Sequence, residues 1–318
     1  MTKQSKKSYF LKIVIALTIV GGGLFWVSNT QGAAIQKVIA LLPNFSLTCI
    51  ALVILLDCLQ IFFMSLRFWC LYPKEHRTLI RNVFAAMSIG QSMNAFLPAR
   101  AGDFYKIASL TPKSAKSDFN MLTLTGILTA DKLVDLASFL VLIFAFGSYK
   151  ESLKSYEGQT IPWKWIIIGM VVLAASWQFF LKKRFGRLAL WAIQFLKGLR
   201  SLLSPLQLFV TLTIAVLVWL TEALALYELS LYQHFPLTFS QAFFCLTVLN
   251  LAIAVPVSVA NIGPFEASLA FAMTQLGMPL EAALAVATVH HALQVVAYLL
   301  TGSLGWALKR WSMVNVSD

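Results

Sequence analysis

Long apolar runs separated by short basic loops set the pattern of this chain. Runs at residues 10–28, 44–70, 118–147, 162–181, 204–231 and 281–308 are each long enough to cross a bilayer as an α-helix. Two other apolar stretches, 82–110 and 238–276, are interrupted in the middle. The first carries Asn94, Pro98, Arg100, Gly102 and Asp103; the second carries Asn250, Pro256, Ser258, Asn261, Gly263, Pro264 and Glu266. Proline removes a backbone donor and ends a helix, while Gly263-Pro264 reads as the start of a new one. Each stretch therefore predicts helix, break, helix. Broken backbone at membrane depth survives only where it is buried in protein or lines a wet cavity.

The loops orient these segments. Lys74, Arg77 and Arg81 precede the first broken stretch, and Lys113 and Lys116 follow it. Basic loops belong in the cytoplasm, so both ends of 82–110 lie on one side and the stretch reads as a re-entrant hairpin. The loop at 148–161 balances Lys150 and Lys154 against Glu151 and Glu157, and Gln233–Leu237 holds only His234; both read as external. Of 25 Lys and Arg, only Lys37, Lys150, Lys154 and Lys164 fall outside and Lys132 within a span, which leaves 20 on cytoplasmic segments. The predicted fold class is an all-α polytopic membrane protein with six full crossings, two re-entrant hairpins and both termini in the cytoplasm. Residues 33–42 and 186–201 read as amphipathic interfacial pieces. Span, inner hairpin, span over 44–147 is followed by span, outer hairpin, span over 204–308. That order predicts an inverted repeat within a single domain, 1–318, with 10–43 as first helix and outer segment and 148–203 as connector.

Composition agrees. The chain is 59% hydrophobic and 12% charged, with mean hydropathy +0.77, which excludes an ordinary soluble domain. The net charge of +12 follows from basic cytoplasmic loops, so no nucleic-acid partner is expected. Lys3, Lys6, Lys7 and Lys12 before an apolar run to Val27 resemble a signal peptide, but the run is long enough to span and is read as an uncleaved first helix. Cys49, Cys58, Cys70 and Cys245 lie in or at apolar spans without ligand spacing, so neither a disulfide, a metal nor a cofactor is expected.

Ionisable residues at membrane depth are expensive and functional by default. Arg100 offers a bidentate fork for a phosphate. Asp103 either joins it in binding, or caps its own helix and pairs with Arg100 one turn away. Glu266 is third in a helix starting at Pro264, a place that suits a capping carboxylate or a ligand. Asn94, Asn250, Ser258 and Asn261 bind ligand or satisfy freed backbone groups. Asp131 and Asp135 share a helix face beside Lys132; an internal ion pair with Lys132 or Arg100 is the plainer alternative. His290 and His291 relay protons or bond across helices. Asp57 and Glu222 read as deep, Glu228 as closer to the surface, and the Phe and Trp residues as lipid-facing or interfacial. No Gly-rich nucleotide loop, zinc-protease motif or nucleophile elbow occurs, so a non-enzyme is expected.

Taken in order, Asn94-x3-Pro98-Ala-Arg100-Ala-Gly102-Asp103, Asp131-Lys132-Leu-Val-Asp135, Pro256-Val-Ser-Val-Ala-Asn261-Ile-Gly263-Pro-Phe-Glu266 and the stretch His291 to Gly302 resemble the lysylphosphatidylglycerol synthase transmembrane-region family. The resemblance covers nearly the whole chain. The family usually has Glu-Arg at Asp131-Lys132, Glu at Asp103, and often Gly-Gly at Ala260-Asn261. Bifunctional members carry a soluble aminoacyl-transferase domain after the membrane part, and none is expected here. The resemblance thus implies the lipid-translocating half in a bacterial or archaeal inner membrane, with a phospholipid or lipid-linked headgroup held by Arg100, Asp103, Asp131, Lys132, Asp135, Asn94, Asn250, Ser258, Asn261, Glu266 and His291. An alternative is a membrane-embedded partner or scaffold of a separate lipid- or glycan-modifying transferase. An intramembrane enzyme is a third class, and a homo-oligomer is left open.

Overall fold

The computed structural model describes residues 40–41, 44–97, 100–112, 119–146, 187–253 and 261–314. The expected spans at 10–28 and 162–181, the loop at 148–161, most of the outer piece at 33–42, and Pro98, Pro256 and Ser258 lie outside them. All regular structure among the described residues is helical.

The first described long helix, α1 (Leu47–Leu71), is started by Ser46, whose hydroxyl oxygen accepts from the Cys49 N–H at 3.1 Å. It stops at Tyr72, in extended conformation ahead of Pro73. The first interrupted stretch forms two helices, α2 (Ile80–Phe96) and α3 (Ala101–Leu110). Helix α4 (Met121–Phe146) begins where the Asn120 side chain accepts from the Leu122 and Thr123 N–H groups at 3.0 and 3.1 Å. Helix α5 (Arg187–Leu199) and a 3₁₀ turn (Arg200–Leu203) lead to α6 (Pro205–Leu231), which has proline in its first turn. A reciprocal Thr238–Gln241 capping box opens α7 (Phe239–Ile253). Helix α8 (Pro264–Gln275) follows Gly263, whose φ of +93° no other residue adopts cheaply. Helix α9 (Leu280–Val314) is the last.

Each interrupted stretch therefore holds two helices, and the later helix of the second starts at Gly263-Pro264 as the sequence predicts. Helices α2, α3, α7 and α8 have 17, 10, 15 and 12 residues. At 1.5 Å per residue they reach between about 15 and 26 Å, short of the roughly 30 Å hydrocarbon core. Helix α2 packs on α3 and α7 on α8, so each pair is a helical hairpin. The α2–α3 contact is backbone on backbone: a Cβ on Gly102 would sit 1.8 Å from the Gly90 carbonyl oxygen. Among the described residues, three helices are long and apolar enough to cross a membrane, over Leu47–Leu71, Pro205–Leu231 and Leu280–Trp311. Helix α4 has the length but carries Asp131, Lys132 and Asp135 near its middle.

Helix α1 packs along α6, and α9 packs along α2 and α8. Helix α5 lies against α4 and keeps Trp191, Ile193 and Leu196 outward. Two apolar cores result. One gathers Cys49 and Val53 of α1, Phe139 and Leu142 of α4, and much of α6 to α9. The other joins Phe68, Leu71, Val83, Met87, Leu124 and Ile127. Along α1 and α4 alike, a polar stretch separates the two. Not all aromatic residues face outward as expected: Phe68, Trp219, Phe243 and Phe265 are buried in the bundle.

Candidate functional site

The polar stretches between the two apolar cores enclose a cavity of about 210 Å³. Eight segments meet there. Asn94 and Leu97 come from the end of α2, Arg100, Asp103 and Lys106 from the start of α3, and Lys132 and Asp135 from α4. Asn250 and Ile253 come from the end of α7, Asn261 and Phe265 from the start of α8, and His291, Gln294 and Tyr298 from α9. Gln60 of α1 and Trp219 and Glu222 of α6 complete the wall. The two hairpin tips, far apart in sequence, thus share one cavity.

The first tip is built by Asn94. Its side-chain oxygen accepts from the Gly102 N–H at 2.8 Å, and its amide donates to Asp103 Oδ1 at 3.1 Å. One amide thereby satisfies a free N–H of the starting helix and fixes the carboxylate beside it. Asp103 does not pair with Arg100. It accepts from Lys106 Nζ at 2.8 Å, one turn into α3, where the lysine stem is buried against Gly90. Arg100 instead takes φ +51° as the residue before α3, a left-handed conformation uncommon outside glycine. It forms no ion pair among the described residues.

The mid-helix cluster on α4 also pairs differently from either expected ion pair. Its partner is Arg67 of α1, fully buried, whose Nε lies 2.7 Å from Asp131 Oδ1 and whose Nη1 lies 2.5 Å from Asp135 Oδ1. Nη2 reaches Asp131 Oδ2 at 3.2 Å. Arg67 is thus not a cytoplasmic flank of its span but an interior fork holding two carboxylates, the geometry guanidinium favours. Asp131, fully buried, stands behind the wall, whereas Asp135 and Lys132 line it. Trp219 donates to the Asp135 backbone carbonyl at 3.3 Å and stacks on Phe139.

At the second tip Glu266 does two things. Oε2 accepts from the Gly263 N–H at 2.8 Å, which is the capping contact, and Oε1 lies 2.7 Å from His291 Nδ1. The His291 ring stacks on Phe265 at 4.2 Å, and its Nε2 has no partner among the described residues. Glu266 therefore meets the cavity through His291. His290 points away, edge-on to Phe265, with neither ring nitrogen hydrogen-bonded among the described residues. Asn250 donates to the Leu246 carbonyl at 2.8 Å, one turn back in its own helix. Gln60 donates to Glu222 at 3.0 Å.

Of the residues singled out in the sequence, Asn94, Arg100, Asp103, Lys132, Asp135, Asn250, Asn261 and His291 line one cavity. Asp131 and Glu266 brace it, and Ser258 lies outside the described residues. Sequence reasoning missed Lys106, Gln60, Gln91, Gln294 and Tyr298 as wall residues and Arg67 as a brace. A glutamine inside an apolar run was the available signal for three of them.

The charges nearly cancel. Arg67 and Lys132 balance Asp131 and Asp135, and Lys106 balances Asp103; of the remaining wall residues, Arg100 is a cation beside the helix start of α3 and Glu222 is an acid held by Gln60. A helix N-terminus also favours an anion. The wall can therefore hold an anionic group near Arg100, with amides and His291 around it for hydrogen bonding.

No curated protein matches the chain, and no solved structure does. A family model does match, that of the lysylphosphatidylglycerol synthase TM region, over residues 11–302. The match takes in both hairpins and every residue of the cavity wall. This helical membrane protein belongs to the lysylphosphatidylglycerol synthase TM region family.

Proposed function

We propose that the chain moves an anionic lipid headgroup between the leaflets of its membrane through the cavity between the hairpin tips. The observation that carries this reading is the meeting of two broken helices around one mid-bundle polar cavity. Paired broken segments at corresponding points of a chain mark a transporter's central site. Breaks at that depth need a wet or protein-lined place, and this cavity supplies it. The hairpins re-enter the bilayer from opposite faces, so their tips meet near its midplane.

In this reading Arg100 holds the phosphate by its planar fork, assisted by Lys132 and by the first N–H groups of α3. Asn261, Gln294 and His291 Nε2 bond the rest of the headgroup. Asp135 and Asp103 set the charge of the wall so that an anion is held but not trapped. The acyl chains stay in the lipid. The role is that of a carrier and not of an enzyme.

The test is lipid retention. Wild-type protein purified in mild detergent carries anionic phospholipid, counted by native mass spectrometry. Arg100→Ala retains at least about tenfold less, the equivalent of one charge-assisted contact of roughly 1.4 kcal/mol or more, with an unchanged melting temperature. Arg100→Lys recovers only part, because ammonium lacks the fork. Equal retention in all three proteins removes Arg100 from the headgroup site.

A further inference from the structure

One acid at the centre of the bundle has no partner among the described residues. Asp57 of α1 is 1% exposed, and neither of its carboxylate oxygens is hydrogen-bonded among the described residues. Its neighbours in kind are all served: Asp131 and Asp135 by Arg67, Asp103 by Lys106, Glu266 by Gly263 and His291, Glu222 by Gln60. An ionised carboxylate at Asp57 would lose its water and gain no donor, whereas a neutral carboxylic acid tolerates such a place far better.

Its surroundings are acidic or neutral. Glu222 of α6 faces it closely enough for the two carboxylates to repel if both were charged. Tyr298 of α9 faces both acids, with Gln91 of α2 bonded to it. Asp135 of α4 is near Glu222, and Cys58 is next along α1. The cation on the same helix, Arg67, is ten residues on, roughly 15 Å along the axis, and is already held by two carboxylates. Yet Asp57 is not remote from the cavity. Gln60, one turn further along α1, and Glu222 both line the cavity and bond each other at 3.0 Å.

We propose that Asp57 is a proton-binding site that couples lipid movement to a proton. The inference rests on the carrier reading above. In the conformation described, a proton from cavity water, passed at the Glu222 carboxyl, forms an O–H bond to Asp57, which becomes neutral. That bond breaks, and the proton returns to water, only when α1 shifts against α6 and admits water or a donor to Asp57. Ionisation of Asp57 and rearrangement of the α1–α6 contact are thereby the same event, which is what coupling requires.

Two measurements test this. Asp57→Asn matches the neutral acid in shape and keeps the wild-type melting temperature. In the infrared spectrum of protein in lipid vesicles at neutral pH, wild type shows the C=O stretch of a protonated carboxylic acid, and Asp57→Asn lacks it. A spectrum unchanged by the substitution overturns the proposal. In proteoliposomes of phosphatidylglycerol and phosphatidylethanolamine, an imposed difference of one pH unit enriches labelled phosphatidylglycerol in one leaflet about tenfold for one proton per lipid. Asp57→Asn brings the label to equal leaflets. A wild-type distribution indifferent to the gradient overturns coupling even where the infrared band is present. Wild type that moves no lipid contradicts the carrier reading and coupling with it, while the infrared band still decides whether Asp57 holds a proton.

Discussion

Arg67 holds two carboxylates at once inside the bundle, so removing it strands both. Breaking a buried pair in this way costs about 3–5 kcal/mol. Arg67→Ala therefore lowers the melting temperature sharply, while Arg100→Ala, at a residue with no ion pair to lose among those described, leaves it within experimental scatter. A thermal melt of the two variants checks the contrast, and equal losses would mean that Arg100 is structural. Glu266 invites a finer test. As a cap alone, Glu266→Gln costs roughly 0.3–1 kcal/mol. As the group that orients His291, it lowers lipid retention as much as His291→Ala does, and the double variant adds nothing further. Additive losses in that cycle would separate the two residues. Polar residues set in apolar runs, such as Asn94, Arg100 and Asn261, were legible in the sequence because nothing about a plain span calls for them. Arg67 was not, since a basic residue near the end of a span looks like a flank and its partners lie 64 and 68 positions away. The alternative pairing of Asp103 with Arg100 was hard to separate for a related reason: Arg100 and Lys106 are both one turn distant, and Lys106 is the one that reaches the carboxylate.

At the scale of elements, the hairpin α2–α3 depends on the backbone contact between Gly90 and Gly102. Gly102→Ala drives a methyl into the Gly90 carbonyl, an overpacking that costs about 1–3 kcal/mol. It should loosen the first tip before it unfolds the bundle. A cysteine at Asn94 then reacts faster with a water-soluble thiol reagent in the Gly102→Ala background than in wild type. An unchanged rate would show that the contact does not position the tip. The helix start in the second stretch was readable from Gly263-Pro264, since these residues dictate backbone whatever surrounds them. The pairing of helices was less so: that α1 lies along α6 and α9 along α2 depends on surfaces brought together from distant parts of the chain, and hydropathy carries no such information.

The whole molecule places two hairpins around one cavity between two apolar cores. That long apolar helices alternate with two interrupted stretches was visible in the sequence, because length and polar breaks define it, but the convergence of eight of the chosen residues on one cavity needed the packing. The proposed entry of the hairpins from opposite faces makes a clear prediction of sidedness. Cysteines introduced at Glu75 and Pro112 are both labelled from the cytoplasm, and cysteines at Pro236 and Gln275 both from outside. Labelling of Glu75→Cys and Pro112→Cys from opposite faces would turn the first hairpin into a crossing and end the inverted repeat. The central claim, that a lipid headgroup passes through the cavity, is tested most directly by leaflet sidedness in proteoliposomes. Labelled phosphatidylglycerol placed in the inner leaflet becomes accessible to an external quencher, at a rate well above that of protein-free vesicles for the wild type and at least about tenfold lower for Arg100→Ala with Lys132→Ala. Transfer by that double variant at the wild-type rate, or by wild type no faster than in protein-free vesicles, would contradict the account.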